Sequence, residues 1–294
     1  MLDVIHDKLL GCLVGGAVGD AVGSFYESGD EGAAVDFEKV FCITDDTQLT
    51  LATCEAIVKN RELTPDKVAT SFLNWYNRGR LRGLGASTLK ALRDLQMGAH
   101  WGLSGRSGEY AAGNGAAMRI APLAFVLDVP NERQLIRDIC RITHKNEEAY
   151  VGALCILYLL HDRLADSDTD DDELMKKLIA EMPDTKVRDH LILLQEAAPE
   201  TISSAGKLVG TSGYVASSVP FAIFAALQLR QLGFRQVITE IIQCGGDTDT
   251  NASLAGQIMG TAIGFKNLPP DVLTVFNKIE ESSYILELGN QIRR

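Results

Sequence analysis

Near its start this chain carries an apolar run that glycine interrupts repeatedly, VIHDKLLGCLVGGAV over residues 4–18. A segment that is apolar almost all round belongs inside a protein, and its glycines let neighbouring elements come close to its backbone. The reading is a buried helix. The same 3.6-residue period governs most of the remaining sequence. Residues 44–59 begin with capping residues and then place Leu49, Ala52, Ala56 and Ile57 at helical intervals. Thr64-Pro65-Asp66 opens a helix over 65–77 with proline at its first position. Further helices are predicted over 86–97, 131–142, 146–161, 172–181, 185–197, 217–232, 234–243, 252–264 and 271–281. Alternating strand patterns are scarce, so the expected class is all-α. No composition shift marks a boundary and no solenoid repeat is visible, which predicts one domain over residues 1–294. The acidic run DSDTDDDE at 166–173 reads as a solvated loop between helices, and residues 102–108 as a glycine–serine loop.

The net charge of −11 gives no general attraction to nucleic acid or to an anionic membrane. Any phosphate-bearing ligand must then be met by local positive potential, from cations, helix N-termini or a few arginines. The cysteines Cys12, Cys42, Cys54, Cys140, Cys155 and Cys244 contain no C-x-x-C pair and sit in apolar segments. Buried reduced thiols of a cytoplasmic protein fit that pattern better than zinc or disulfides. The first residues carry Asp3 and Asp7 and lack the basic region of a signal peptide. The uncharged stretch 208–229 is broken by Gly210, Ser212, Gly213 and Pro220, so a polar loop followed by a core helix is expected there rather than a membrane span.

Polar clusters interrupt the apolar helices at Gly19-Asp20 with Glu27, at Thr44-Asp45-Asp46-Thr47, at Gly113-Asn114-Gly115 leading to Met118-Arg119, and at Gly245-Gly246-Asp247-Thr248-Asp249-Thr250-Asn251. Capping explains TDDT taken alone. It does not explain two carboxylates and two hydroxyls crowded behind a Gly-Gly pair, because one cap needs one acceptor. Carboxylates held together repel, and a hard divalent cation is the natural counter-charge for an all-oxygen ligand set. If the two acidic clusters meet in space, they suffice for a pair of ions. The GNG turn reads equally as an anion-binding turn and as a plain glycine turn. His144 stands just before a helix, and Tyr214 is placed to stack on a ring or to pack. Arg78, Arg80 and Arg82 read as a solvated loop. Asp247-x-Asp249 also resembles the motif of the haloacid-dehalogenase phosphatases, but no Rossmann-like pattern comes after it.

Taken in order, GCLVGGAVGDAVGSFYE, TDDT, GNGAAMR, TH, GYVASS and GGDTDTNASLAG resemble the ADP-ribosylglycohydrolase family over about residues 10–264. The resemblance implies an all-α orthogonal helix bundle with a binuclear magnesium or manganese cleft. It would make Thr44, Asp45, Asp46, Asp247, Asp249 and Thr250 metal ligands, directly or through water. It would place Glu27 at the scissile bond, with Asp247 also serving the chemistry. It would set Gly113, Asn114, Gly115, Met118, His144 and Tyr214 around the substrate. The implied partner is an ADP-ribosylated protein or an ADP-ribose-containing small molecule, and a monomer is expected. An ADP-ribose binder without activity and a structural metal-binding protein are the competing readings.

The chain departs from the family where Asn146 and Glu147 follow the TH motif and where Ser217-Ser218 follow GYV. Arginine-linked substrates call for a carboxylate to meet the guanidinium, yet residues 75–90 contain arginines and no acid. GSFYE and the pattern Arg82-Gly83-Leu84-Gly85-Ala86 look like the serine-directed branch. An O-linked substrate, ADP-ribosyl-serine or O-acetyl-ADP-ribose, is therefore expected over arginine, unless Asp94 or Glu109 reaches the cleft.

Overall fold

The glycine-spotted segment is the first part of a long helix, α1 (Leu2–Tyr26), which continues through AVGSFY. Gly11, Gly15, Gly19 and Gly23 recur every fourth residue, so they form one stripe along the helix. In the computed structural model, which describes residues 2–27, 29, 31–39, 42–165 and 170–292, that stripe lies against α13 (Thr248–Ile263). Gly11 meets Gly260, Gly15 meets Gly256, Gly19 meets Ala252 and Gly23 meets Thr248, so the two helices run antiparallel with backbone against backbone. A methyl group at any of these α1 glycines would overlap a carbonyl of α13. The hydroxyl of Thr248 donates to the carbonyl of Gly23 at 2.8 Å and fixes the register.

The remaining helices surround this pair. They are α2 (Asp45–Lys59), α3 (Pro65–Asn77), α4 (Ala86–Gln96), α5 (Arg133–Arg141), α6 (Glu147–Leu164), α7 (Asp171–Glu181) and α8 (Lys186–Ala197). After these come α9 (Ile202–Val209), α10 (Val215–Leu227), the single turn α11 (Leu229–Leu232), α12 (Phe234–Gln243), α14 (Pro270–Phe276) and α15 (Ser282–Gln291). The strands described are the two-residue segments β1 (Arg106–Ser107) and β2 (His144–Lys145), which pair in parallel. The protein is all-α, as the periodicity predicts. By length and apolarity α1 could cross a membrane, but 89% of its apolar window is buried inside the protein.

Several boundaries differ from the sequence-based expectation for identifiable reasons. The helix expected over 252–264 starts at Thr248, because the polar cluster occupies its own first turn. The one expected over 217–232 starts at Val215 and ends at Leu227. It tolerates Pro220 because the carbonyl of Ala216, which the proline cannot serve, accepts a 2.7 Å bond from His190 Nδ1. Of the acidic run, residues 166–169 lie outside the described residues. Asp170 accepts from the Asp172 amide at 3.3 Å and caps α7, so the second half of the run is a helix start rather than a loop. Helices α9 and α15 go beyond the periodic segments; α9 opens with a capping box in which Thr201 and Ser204 bond reciprocally. The GNG turn leads into a single 3-10 turn, Asn114–Ala116, not an α-helix.

The α1–α13 contact yields a stability prediction. In an isolated helix Gly256→Ala would gain about 1 kcal/mol of propensity. Here the added methyl meets the Gly15 carbonyl, and overpacking a rigid contact costs about 3 kcal/mol. Denaturant unfolding should therefore show net loss of stability for Gly256→Ala. Gly85→Ala, which meets nothing within 4 Å, should stay within about 1 kcal/mol of the parent.

Candidate active site

Antiparallel packing brings the C-terminal end of α1 beside the N-terminal end of α13, and the start of α2 joins them. A cleft of about 560 Å³ opens at this junction. Glu27, Asp45, Asp46, Asp247, Asp249 and Thr250 line one part of it, and Gly113, Asn114, Gly115, Met118 and His144 another. The two acidic clusters, more than two hundred positions apart in sequence, thus meet in space.

The local folding of each cluster is set by its residues. Gly245 and Gly246 adopt φ of +67° and +79°, and a side chain at Gly246 would run into the Thr211 backbone. That turn lets the Asp247 amide reach the Thr211 carbonyl at 2.9 Å and starts α13 with its acids facing the cleft. At α2 the Asp45 amide donates to the Arg82 carbonyl at 2.8 Å. Thr44 caps the helix through the Asp46 amide at 3.4 Å. Its hydroxyl lies 2.8 Å from Asp20 and 3.2 Å from Asp46, so Thr44 sits behind the acids rather than on the cleft wall.

Asp20 stands out in the sequence, which assigns it no role. It is fully buried, and it accepts from the amides of Thr44 and Thr47 at 3.0 and 3.1 Å and from the Thr47 hydroxyl at 2.5 Å. It is a second cap for α2, supplied by α1. Arg119, also 0% exposed, ends the GNG motif and has no site role by sequence alone. Its guanidinium bonds the Gly115 carbonyl, donates to the Thr143 hydroxyl at 2.9 Å and lies 4.9 Å from the Phe72 ring centroid. Arg119 can only donate, so the Thr143 hydroxyl accepts from it, and the acceptor at hand for its own O–H is His144 Nδ1 at 2.7 Å. That leaves the His144 proton on Nε2, which faces Gly113 and Gly115. Burial, and secondarily the charge of Arg119, depress the His144 pKa to about 3, so the ring is a neutral donor. The glycines of GNG make room for this ring; a methyl at Gly115 would come within 2.8 Å of it.

Asn114 donates to Asp247 Oδ2 at 2.6 Å, which ties the GNG turn directly to the acidic cluster. Tyr214 does not line the cleft. Its backbone bridges to Gly113, and burial, with Glu148 and Glu109 nearby, raises its pKa. Arg106, Ser87, Thr88 and the 87%-exposed Tyr110 do line it or stand at its mouth, and none of them is foreseen from the sequence. They lie in the short strand β1, in a 3-10 turn and at a helix start, whose sequences carry no distinctive signal.

The electrostatics are those of carboxylates crowded together out of water. Burial is the leading cause of every shift here. It holds Asp20 at about 6; with the charge of Asp20 it holds Asp45 at about 7; and with that of Asp247 it holds Asp249 at about 9. Asp46 is pushed well up by burial and by Asp249. Glu27 is raised by burial and by Asp247. Ligand oxygens of Glu27, Asp247 and Asp249 lie within 4.8 Å of one another. Asp46 Oδ1 is buried with no hydrogen-bond partner. A buried acceptor without a donor, amid repelling carboxylates, fits a hard divalent cation.

Because these acids have folded-state pKa values above their unfolded ones, their contribution to stability is fully present below about pH 4. It is lost as pH rises through about 6 to 9. The metal-free protein should thus be penalised at alkaline pH, and cations should relieve the penalty. Thermal melts should show a larger Tm gain on adding Mg2+ or Mn2+ at pH 9 than at pH 5. An equal gain at both pH values, or none, would contradict the cluster's role.

The family model for ADP-ribosylglycohydrolase matches residues 1–293. The chain is 26% identical over 322 residues to ADP-ribosylhydrolase ARH3 of Homo sapiens, covering 89% of this chain and 87% of that one. It is 25% identical over 308 residues to ADP-ribosylarginine hydrolase Tri1 of Pseudomonas putida, covering 97% and 78% of the two chains. A solved ADP-ribosylglycohydrolase-related protein complex superimposes with a TM-score of 0.79 at 24% identity, over 99% of this chain and 98% of that one, and so shares the fold. With the family model spanning nearly its whole length, the chain belongs to the ADP-ribosylglycohydrolase family.

Proposed function

We propose that the protein hydrolyses the bond between ADP-ribose and an acceptor oxygen, with divalent cations held by Asp45, Asp46, Asp247, Asp249 and Thr250 and with Thr44 behind them. The observation that carries this reading is the meeting of both acidic clusters with Glu27 in a single cleft that the GNG turn also lines. When bound, the cations would neutralise the clustered carboxylates and grip the vicinal hydroxyls of the ribose.

The chain's own groups supply the rest. His144 offers a neutral N–H toward the GNG turn, where the diphosphate would lie. Asn114 orients Asp247 through its 2.6 Å bond. Glu27, at the cleft edge with its pKa raised by partial burial and by the Asp247 charge, is placed to move a proton at the bond being cut. Glycosidic cleavage develops oxocarbenium character at the sugar and needs such a transfer at the leaving group or at water.

The acceptor preference rests on what the cleft offers a guanidinium. Asp94 is engaged by Lys90 at 2.6 Å and by the Gly105 amide at 3.1 Å, and neither Asp94 nor Glu109 lines the cleft. Arg106 does line it and would repel a second cation. Two departures from the family pattern bear less on the acceptor than the sequence suggests. Asn146 caps α6, accepting from Glu148 and Ala149 at 2.8 and 3.3 Å. Ser217 is buried and outside the cleft.

The direct test is hydrolysis of ADP-ribosylated protein with and without chelator. Activity should vanish in excess EDTA and return with Mg2+ or Mn2+, and Asp249→Asn should remain inactive with metal present. Glu27→Gln should still bind ADP-ribose while kcat falls by roughly 10²–10⁴. A kcat within a few-fold of the parent would remove Glu27 from the chemistry, and no turnover of any conjugate by the parent enzyme would favour a binding protein. Serine-linked and arginine-linked conjugates compared at equal concentration should give the higher kcat/KM for serine. The reverse order would overturn the O-linked preference and leave the hydrolase standing.

A further inference from the structure

Strands β1 and β2 form part of the cleft wall, and a second pocket lies on their other side. Side chains alternate along a strand, so His144 turns into the cleft and Lys145 turns away from it. Lys145 shares a pocket of about 160 Å³ with Arg137, Arg141, Asn146, Glu147 and Tyr150.

The chain is acidic, with a net charge of −11, yet here the local balance reverses. Arg137 lies over the Tyr150 ring at 4.5 Å and is met by Glu147 at 3.0 Å. Asp94, the acid whose charge reaches Lys145, already holds Lys90 at 2.6 Å. Among the described residues no carboxylate pairs with Arg141 or with Lys145, and the Lys145 ammonium donates to the Leu103 carbonyl at 2.9 Å. Arg106, opposite His144 in the strand pair, also has no carboxylate partner among the described residues and faces the cleft. Burial is the main cause that lowers the Lys145 pKa; the charge of Lys90 adds to it, that of Asp94 opposes it, and that of Arg141 adds a smaller part.

We propose that Arg137, Arg141 and Lys145 form a phosphate-binding pocket beside the cleft, for a phosphate group beyond the diphosphate of ADP-ribose. Guanidinium forks and an ammonium point charge are the groups that recognise phosphate. The pocket is well below the roughly 300–1,000 Å³ of sites that enclose whole drug-sized ligands, which suits a single small anion. The phosphate is either carried on the ligand in the cleft or free in solution. The link to a cleft ligand rests on the proposed ADP-ribosyl hydrolase function; the pocket itself does not.

The test is calorimetric titration of the Mg2+-loaded protein with inorganic phosphate, with ADP-ribose present to occupy the cleft. Binding should weaken by about tenfold or more in Arg141→Ala/Lys145→Ala. It should persist in Lys145→Arg, which keeps the charge, and in Arg61→Ala, a cation elsewhere on the surface. Melting curves confirm that each variant is folded. A second arm compares ADP-ribose with ADP-ribose 2′-phosphate. Tighter binding of the 2′-phosphate, lost in the double variant, places the phosphate on the cleft ligand. Equal affinity for the two, with inorganic phosphate still bound alongside, points to free phosphate. Absence of phosphate binding, or binding unchanged by Arg141→Ala/Lys145→Ala, overturns the pocket. Neither of these outcomes depends on whether the enzyme hydrolyses anything.

Discussion

Everything in this structure is referred to one contact, the backbone-to-backbone packing of α1 against α13. Two helices approach this closely only where side chains are absent, and Gly11, Gly15, Gly256 and Gly260 supply the gap. The antiparallel sense then decides chemistry. It sets Glu27, just past the end of α1, beside Asp247 and Asp249 at the start of α13, and the Thr248–Gly23 bond holds them in register. Asp20, on the same helix as the glycines, reaches across to hold the first turn of α2. The glycine stripe therefore positions both acidic clusters.

The site is assembled against electrostatic resistance. Carboxylates drawn out of water and toward one another are pushed up in pKa, and the protein answers with several compensations. Thr44, Thr47 and two amides satisfy Asp20. Arg119 is buried nearby without a carboxylate salt bridge among the described residues, its pKa lowered to about 10 by burial. Its charge acts on Asp45 at a distance and adds to the burial that keeps His144 neutral. What these groups leave unanswered, including Asp46 Oδ1, matches the demand of a hard cation.

Much of this is legible in the sequence. The 3.6-residue period establishes the class and most helices, because amphipathic burial is a local pattern. Helix α9 escapes because ISSAGKLV mixes serines and glycine into a short segment, and its capping box uses Ser204 in place of the usual Glu. The acidic clusters are legible as excess, too many acceptors for one cap, but their meeting is a tertiary fact that the order of family motifs can imply and spacing cannot. Arg119 and Arg106 illustrate the other limit. An arginine after AAM, or within a glycine–serine loop, looks solvated until the packing around it is known.

Helices α1 and α13 stand at opposite ends of the sequence, so their contact has very high sequence separation. Contacts of that kind form late, because a long loop must close before they are rewarded. On a ribosome, α1 must wait for most of the chain before its glycine face finds cover, with its apolar surface exposed to chaperones or to aggregation in the interval. The same delay has a useful side. Asp247 and Asp249 cannot join Asp45 and Asp46 until the long-range contact has closed, so partly folded chains lack the complete carboxylate cluster, and the capacity to grip a substrate arrives together with the finished fold.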